Sequence, residues 1–304
     1  MEEQRVEGEG SSKDTRTSTI FKLPPLQIDN EDILFCIDID PQSMLQMKGL
    51  TRLDAIKQAI LLFVNAKLTI NPQHRFTFAT LSDSTSWLKK EFSSEVESTI
   101  AAMRELSATT SSSQPDLTTL FQLAAHEAKK SSTQGRILRV ILFYCRSTGR
   151  PQHQWPENQR LFTLDIMYLH EKPGPDNCPQ EVYDTLVDTL EHVTDYEGYI
   201  FESGHASARI LFCHVLVLLS HPQQRCIQEY INIPKSLAKK APLVDPMATE
   251  DNFPVSTQGK HANQWPHRGA AGNLDRKQHK LDRNLKRRKE GDSVVSPHRG
   301  SFEK

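Results

Sequence analysis

The chain has 304 residues, of which 37% are hydrophobic, and a formal net charge of -1; its mean hydropathy is -0.54. These values exclude a chain that is packed as one core from end to end, and they predict one globular domain with disordered ends. The longest apolar run, from Ile210 to Leu219, is about half the length that a membrane helix needs, so no membrane helix is expected.

The first predicted element, a strand over about residues 32 to 40, sets the fold class. It contains a run of five apolar residues, Ile33 to Ile37. A short run that is rich in Ile and Phe and has polar residues on both sides is typical of a strand buried on both faces of a sheet. Asp38 and Asp40 follow at its carboxyl end, the sheet edge where α/β proteins bind ligands.

The later elements are predicted from helical spacing of apolar residues and from β-rich runs. In chain order they are a helix from 51 to 71, a strand from 75 to 81, a polar loop from 82 to 87, a helix from 94 to 106, a helix that opens at 115, a strand from 136 to 145, a strand from 161 to 170, a helix from 179 to 194, an edge strand from 198 to 202 and a helix from 206 to 220.

This order predicts an α/β fold, with a doubly wound, mostly parallel sheet and helices on both faces. The strands near 32–40 and 136–145 are expected at its centre. We predict four parts: a disordered lead over 1–28, the folded domain over 29–222, a peripheral segment over 223–242 and a disordered basic tail over 243–304.

Asp38 and Asp40 raise the question of a metal site. A cation there would need further oxygen ligands from neighbouring loops, and a third acid, Asp116, lies in the loop that aligns with the Thr loop of such sites. The loop resembles the Asp-x-Ser-x-Ser metal motif of the von Willebrand A domain, but Asp40 and Gln42 stand where the serines would be. Arg146, after the central strand, would repel a cation. We therefore expect no metal and interpret the acids as acceptors for nearby backbone N–H groups.

No catalytic residue and no cofactor site are predicted, and the chain is not expected to be an enzyme. The five cysteines show no CxxC spacing, and their odd number, without a signal peptide, favours a reducing compartment. The histidines show neither HxH nor HExxH spacing, and His214 is interpreted as a core histidine. Cys145 at a strand end is a conceivable nucleophile, but no base is visible beside it.

Two hydrophobic features are open to two interpretations each. Trp87 either anchors a partner or covers the domain core. The helix from 206 to 220 is apolar around most of its circumference, so it is either buried in the core, which we expect, or half-buried beneath a partner.

The tail carries the strongest charge in the chain. Arg276 to Lys289 has eight Lys or Arg residues and one acid, or +7, which leaves about -8 for the remainder. Its densest part is a candidate nuclear-import signal: Lys286, Arg287, Arg288 and Lys289. The alternatives are a solvated tail and a non-specific phosphate-binding arm, and without aromatic residues no base stacking is expected.

A set of short motifs, in this order and at this spacing, points to a family. They are Ile37-Asp38-Ile39-Asp40, Asp83-x-Thr85-x-Trp87-Leu88, Leu120-Phe121, Arg139 to Tyr144, and Leu219-x-His221-Pro222-x-Gln224-Arg225. Over about residues 30 to 230, the chain resembles the MERIT-type scaffold subunit shared by the BRISC and BRCA-A deubiquitinase complexes, in a plant-like version. The acidic, proline-rich N-terminal extension of the animal members of that family is shortened here to a small Glu/Ser/Thr-rich lead, and the basic tail beyond about residue 243 has no matching counterpart.

This resemblance implies a von Willebrand A-like fold and a non-catalytic scaffold. It implies partners, namely a ubiquitin-fold scaffold subunit and JAMM-type deubiquitinase subunits that cleave lysine-63-linked ubiquitin chains, with roles in the DNA damage response and repair. It further implies location in nucleus and cytoplasm, with neither specific nucleic-acid binding nor membrane binding. The candidate partner-binding residues are Trp87, His221, Pro222 and Arg225.

Two other classes of function remain as alternatives. One is a metal-dependent adhesion-type binding module that uses Asp38, Asp40 and Asp116. The other is a hydrolase with Cys145 as its nucleophile.

Overall fold

The computed structural model describes residues 28–47, 49–111, 114–156, 159–204 and 208–233. The predicted lead over 1–28, apart from Ile28, and the predicted tail over 243–304 lie outside these residues. The candidate import signal, Lys286 to Lys289, therefore lies outside them as well. The predicted peripheral segment, 223–242, is described as far as Ile233.

Eight strands and five α-helices occur within the described residues. The strands are β1 (Asn30–Asp38), β2 (Gln46–Met47), β3 (Leu50–Thr51), β4 (Arg75–Leu81), β5 (Thr85–Ser93), β6 (Arg136–Tyr144), β7 (Thr163–Leu169) and β8 (Ile200–Ser203). The helices are α1 (Arg52–Ile70), α2 (Val96–Glu105), α3 (Thr118–Thr133), α4 (Pro179–Val193) and α5 (Ala208–Val217).

The central sheet has the strand order β5-β4-β1-β6-β7-β8, and β2 and β3 form a separate antiparallel pair. Every neighbouring pair in the sheet is parallel except β4 with β5. Helices α1, α2 and α5 cover one face, whereas α3 and α4 cover the other. The predicted fold class, an α/β fold with a doubly wound, mostly parallel sheet and helices on both faces, is confirmed.

Strand β1 lies at the centre of the sheet, as its apolar run predicts. Its alternate side chains enter the two cores: Ile33, Phe35 and Ile37 point to one, and Leu34 and Cys36 to the other. The Phe35 ring lies 5.6 Å from the rings of Phe63 and Phe78. Because both faces are packed, the strand is apolar along its whole middle.

One element, β5, was missed by the sequence analysis. The predicted polar loop over 82–87 is wrong, because β5 begins at Thr85 and pairs antiparallel with β4 at the sheet edge. Two register shifts interrupt this pairing, and a bulge breaks the regular alternation by which a strand is recognised. Trp87 and Phe92 pack on one core and Leu88 on the other, with Lys89, Lys90 and Glu91 between them.

Several boundaries differ by a few residues from their predictions. β1 ends at Asp38, so Asp40 belongs to the turn that follows, where it caps a short 3-10 helix, Pro41–Met44. Helix α3 begins at Thr118. Helix α1 has the predicted start, because the Thr51 side chain accepts a hydrogen bond from the Asp54 N–H and caps it.

Candidate functional site

Asp38, at the carboxyl end of β1, is fully buried, and both of its carboxylate oxygens accept hydrogen bonds from within the protein. Its oxygens accept hydrogen bonds from the backbone N–H groups of Asp40 at 3.1 Å and Cys145 at 3.0 Å. The guanidinium of Arg146 lies on the same carboxylate, with Nε 3.1 Å from both oxygens and Nη2 3.0 Å from Oδ1. Burial raises the pKa of Asp38, and Arg146 and the two N–H donors act against that rise.

Arg146 also reaches the other groups at this edge. Its Nε lies 3.7 Å from Asp40 Oδ2, and its Nη2 donates to the Ser82 carbonyl oxygen. Asp40 itself accepts a hydrogen bond from the Gln42 N–H at 3.0 Å. The acids therefore bond to backbone N–H groups, and a guanidinium already supplies the positive charge that a metal ion would bring.

The Asp116 carboxylate caps the start of α3. Its Oδ1 accepts a hydrogen bond from the Thr118 N–H at 2.8 Å, at the start of α3, and its backbone pairs with Gln152. In the part of the chain that the structure describes, no three His, Cys, Asp or Glu side chains are arranged to hold a metal ion. The adhesion-module alternative needs an accessible Asp38, and this geometry does not offer one.

The surroundings of Cys145 disfavour its thiolate, although Arg52 and Arg146 lie nearby. It is fully buried, and burial together with the nearby Asp38 raises the pKa of its thiol. A nucleophilic cysteine requires the thiolate, which a lowered pKa or an adjacent base would provide. The environment of Cys145 therefore argues against the hydrolase alternative.

The two hydrophobic features lie at the surface of the cores. Trp87 is half-buried in β5 and packs against the core beneath α3. Helix α5 is half-buried, because Leu211 and Val215 face the core while Leu216 remains 45% exposed. Helix α5 contacts α1 and β8, and Leu211 and Val215 are its two buried residues, so the expectation that this helix is buried in the core was wrong.

His214, which lies on α5, is half-buried rather than a core residue. Its ring stacks on Phe201 with 4.7 Å between the ring centroids, and its Nδ1 lies 3.3 Å from Ser203 Oγ.

The other three partner-binding candidates are engaged inside the protein. His221 and Pro222 are buried, and His221 Nε2 lies 2.9 Å from the Asp29 carbonyl oxygen. Arg225 donates to both oxygens of Asp165 at 2.7 and 3.0 Å, and its guanidinium lies 4.4 Å from the centre of the Tyr199 ring. As placed, these residues attach the chain that follows α5 to the sheet.

This attached segment, residues 221–233, is called the strap below. Gln228 in the strap uses its side-chain amide as a neighbouring strand would use its backbone. Its Oε1 accepts from the Ile200 N–H at 2.8 Å, and its Nε2 donates to the Ile200 carbonyl oxygen at 2.7 Å. Since open sheet edges invite pairing with other chains, the strap protects the β8 edge.

A buried ionic cluster, which sequence reasoning missed, lies under the strap. Arg139 is fully buried and donates to Asp165 at 2.6 Å, to Glu31 at 3.2 Å and to the Leu218 carbonyl oxygen at 2.6 Å. Lys67 donates to Glu31 as well. Burial alone would raise the pKa of Glu31 and Asp165, but Arg139 and the other cations lower both. The sequence did contain a signal for this cluster: Arg139 and Asp165 are ionisable residues in the apolar strands β6 and β7.

Two histidines lie beside Glu31 in the same region. The Nε2 atoms of His74 and His221 are 3.9 and 3.6 Å from Glu31 Oε1, and His74 Nδ1 accepts the Glu31 backbone N–H at 3.1 Å. Burial lowers the pKa of His74 to about 4 and also lowers that of His221, although Glu31 favours the charged forms. Both rings are therefore neutral at pH 7.

Solved structures that resemble this chain include the following three. The SpRpn10 VWA domain has a TM-score of 0.44 and 15% identity, over 65% of this chain and 99% of that chain. The N-terminal domain of TFIIH p34 has a TM-score of 0.43 and 14% identity, over 62% of this chain and 97% of that chain. BatB, a conserved hypothetical protein from Bacteroides thetaiotaomicron, has a TM-score of 0.39 and 10% identity, over 62% of this chain and 98% of that chain. At these identities the similarity concerns the fold alone.

No protein-family model matches the chain, and no curated protein matches it. Among the helices that the structure describes, none combines the length and apolar character required to cross a membrane.

The Arg146–Asp38 pair should matter strongly for stability. The substitution Arg146→Ala leaves a buried carboxylate without its cation, so we expect the free energy of unfolding to fall by about 3–5 kcal/mol in urea denaturation. The matched control is Arg150→Ala, which removes an exposed pair with Glu181 and should cost less than about 1 kcal/mol. Equal losses in the two variants would contradict the role given to Arg146.

The strap should loosen when its buried ion pair is removed. Arg225→Met deletes both hydrogen bonds to Asp165, each worth about 1.5–3 kcal/mol when a charge is involved. We expect the strap amides to exchange with deuterium at least tenfold faster, while the β1 amides remain protected. Gln224→Ala, a change at an exposed strap residue, should leave exchange unchanged, and unchanged exchange in Arg225→Met would refute the attachment.

Acid should destabilise the protein through His74. Its pKa is about 4 in the folded protein and 6.5 ordinarily, so the unfolded chain binds more protons between these values. The free energy of unfolding should therefore be fully retained above pH 6.5 and decrease as pH falls towards 4, by up to about 3 kcal/mol. His74→Gln should flatten this profile, whereas His126→Gln, at an exposed position, should not. Parallel profiles for wild type and His74→Gln would contradict the prediction.

Proposed function

We propose that this chain is a non-catalytic scaffold subunit that stabilises a JAMM-type deubiquitinase complex, which cleaves lysine-63-linked ubiquitin chains in the DNA damage response and repair. The observation that carries the proposal is the Arg146 guanidinium on Asp38 and Asp40. Because Arg146 fills the carboxyl edge of the sheet, that edge cannot hold a ligand. We therefore expect the protein to bind its partners through its outer surfaces.

Several residues of the motifs that carry the family resemblance form the buried ion pairs of the fold. Asp38 of the first motif holds Arg146 and the Cys145 N–H. Arg139 begins the central-strand motif and sits in the buried ionic cluster, and Arg225 ends the last motif and fixes the strap. Asp38, Arg139 and Arg225 lie in the interior, so the partner surfaces belong to other residues, with Trp87 of the second motif as the half-buried candidate at the β5 edge.

The partners that we propose are a ubiquitin-fold scaffold subunit and the JAMM-type deubiquitinase subunits, in the nucleus and the cytoplasm. In this proposal the peptidase activity belongs to the JAMM-type partner, because the chain's own edge acids and Cys145 are buried and engaged. Lys286 to Lys289 would serve nuclear import, and this segment lies outside the described residues.

Affinity purification of the tagged full-length chain tests this proposal. From undamaged cells and from cells after DNA damage, we expect mass spectrometry to identify a ubiquitin-fold subunit and a JAMM-type subunit. The purified material should cleave lysine-63-linked diubiquitin and lose that activity when metal ions are chelated, because the proposed JAMM-type partner is a metalloprotease. The Arg225→Met variant, which loosens the strap, should recover less of both subunits.

Recovery of no deubiquitinase subunit from either kind of cell would overturn the proposed complex. Cleavage by the chain alone, expressed without partners, would overturn its non-catalytic role.

A further inference from the structure

The strap is attached to the domain largely through polar side chains. Within residues 221–233, His221 and Pro222 are buried, whereas the others are half-buried or exposed. Ile231 and Ile233 make half-buried contacts with the core, and the residues between are held by the hydrogen bonds and the ion pair described above. A segment with little buried apolar surface can open locally while the core stays closed.

Two histidines beside Glu31, one of them in the strap, each use a ring nitrogen as the acceptor for a backbone N–H. His221 Nδ1 accepts the Gln223 N–H at 3.3 Å, and His74 Nδ1 accepts the Glu31 N–H at 3.1 Å. In this tautomer the ring hydrogen of His221 is on Nε2, which donates to the Asp29 carbonyl oxygen at 2.9 Å. Both contacts therefore require a neutral ring, because a protonated ring carries a hydrogen on each nitrogen.

Protonation would replace these two hydrogen bonds by two repulsive contacts. On each ring, Nδ1 would turn an N–H towards the backbone N–H that it accepts in the neutral form. In the strap, the change falls on the turn Pro222–Gln224, which the His221 ring caps. A buried donor that faces another donor costs free energy, and the same donor in water does not, so protonation favours release of the strap.

The charges around the two rings do not offset this cost. The Nε2 atoms of His221 and His74 lie 3.6 and 3.9 Å from Glu31 Oε1. The attraction of Glu31 is already shared, because its carboxylate pairs with Lys67 and with Arg139. A proton on either ring would add a third positive charge around this one carboxylate.

The remaining charged groups beside the rings are Arg136 and Asp29. Arg136 acts on His74 in the same direction as Lys67 and disfavours a proton there. The Asp29 carboxylate is engaged, since its Oδ2 accepts a hydrogen bond from Gln223 Nε2 at 2.8 Å. Burial is the largest cause of the lowered pKa of both histidines, and the neighbouring cations add to it.

We propose that the strap is acid-sensitive: protonation of His221 and His74 releases it and uncovers the β8 edge. Once the strap is released, the Ile200 N–H and carbonyl oxygen, which bond to Gln228, are free to pair with another strand. The release involves groups of this chain alone and is independent of the proposed deubiquitinase partners.

The direction of the pH effect follows from proton uptake. In the released form both rings are in water and bind protons at their ordinary pKa of 6.5, whereas the pKa of each is lower in the attached form. The released form therefore binds more protons, and lowering the pH below 6.5 shifts the equilibrium towards it.

The test is hydrogen–deuterium exchange of the full-length protein at pH 7 and pH 5, with each rate divided by the intrinsic rate at that pH. We expect the strap amides and the Ile200 amide to exchange at least tenfold faster at pH 5. One histidine that stays neutral in the attached form shifts the equilibrium by up to about 25-fold over this interval. The β1 amides should stay protected at both pH values.

Variants assign the effect to the two histidines. Glutamine keeps a donor and an acceptor on the side chain but does not titrate in this range. The double variant His74→Gln/His221→Gln should show a change of less than about twofold between pH 7 and pH 5, and His221→Gln alone should show an intermediate change. His126→Gln, at an exposed position on α3, should keep the full change.

A second measurement uses the unaltered protein, so it holds even where a variant does not fold. The ring NMR signals of His221 and His74 report their protonation directly. We expect His221 to become protonated over the same pH interval in which the strap amides begin to exchange faster.

Four results would overturn the proposal. They are unchanged corrected exchange of the strap between pH 7 and pH 5, equal acceleration of the β1 and strap amides, the full pH effect in a folded double variant, and a His221 ring that stays neutral while the strap opens. The second would mean that acid unfolds the whole domain and does not release the strap selectively.

Discussion

The central pair of strands, β1 and β6, depends on one electrostatic constraint: each acid of β1 must meet an arginine from or beside β6. Asp32 meets Arg136 at 2.7 Å, and Glu31 meets Arg139 at 3.2 Å, at the start of β1. At its end, Asp38 meets Arg146 at 3.0 Å. A buried charge without a partner costs far more than its pairing gains, so these contacts are obligatory once the strands are packed.

The two ends of β1 use this constraint differently. At the carboxyl end, the pairing fills the edge where a ligand would enter, since Arg146 also reaches Asp40 and Ser82. At the amino end, the pairing extends outward from Arg139 through Asp165 to Arg225, and so fixes the strap beside β8. One end of the central pair is thereby closed to cations, and the other is tied to a segment more than 190 residues away along the chain.

The sequence predicts the elements better than it predicts their contacts. The apolar runs in β1 and β6 identify both strands and their central position, because burial on two faces leaves a local composition signal. Strand β5 escapes, since it pairs on one side only, with two register shifts. The pairing of Arg139 with Glu31 joins residues 108 positions apart, and no local pattern encodes it. His221, Pro222 and Arg225 were found as a motif, but only the fold reveals that they face inward.

Buried ion pairs stabilise a protein less than an apolar core of the same volume would. Their role here is to exclude other registers of β1 against β6. A slip of β1 by one residue against β6 would send every side chain to the opposite face. It would also move Glu31 from Arg139 and Asp38 from Arg146, leaving charges unpaired at both ends of the strand. Apolar packing alone discriminates poorly between such registers in a strand that is hydrophobic on both faces. The charged ends therefore define one alignment, and a sheet with one alignment and a closed edge presents its outer helices, α4 among them, in a fixed geometry.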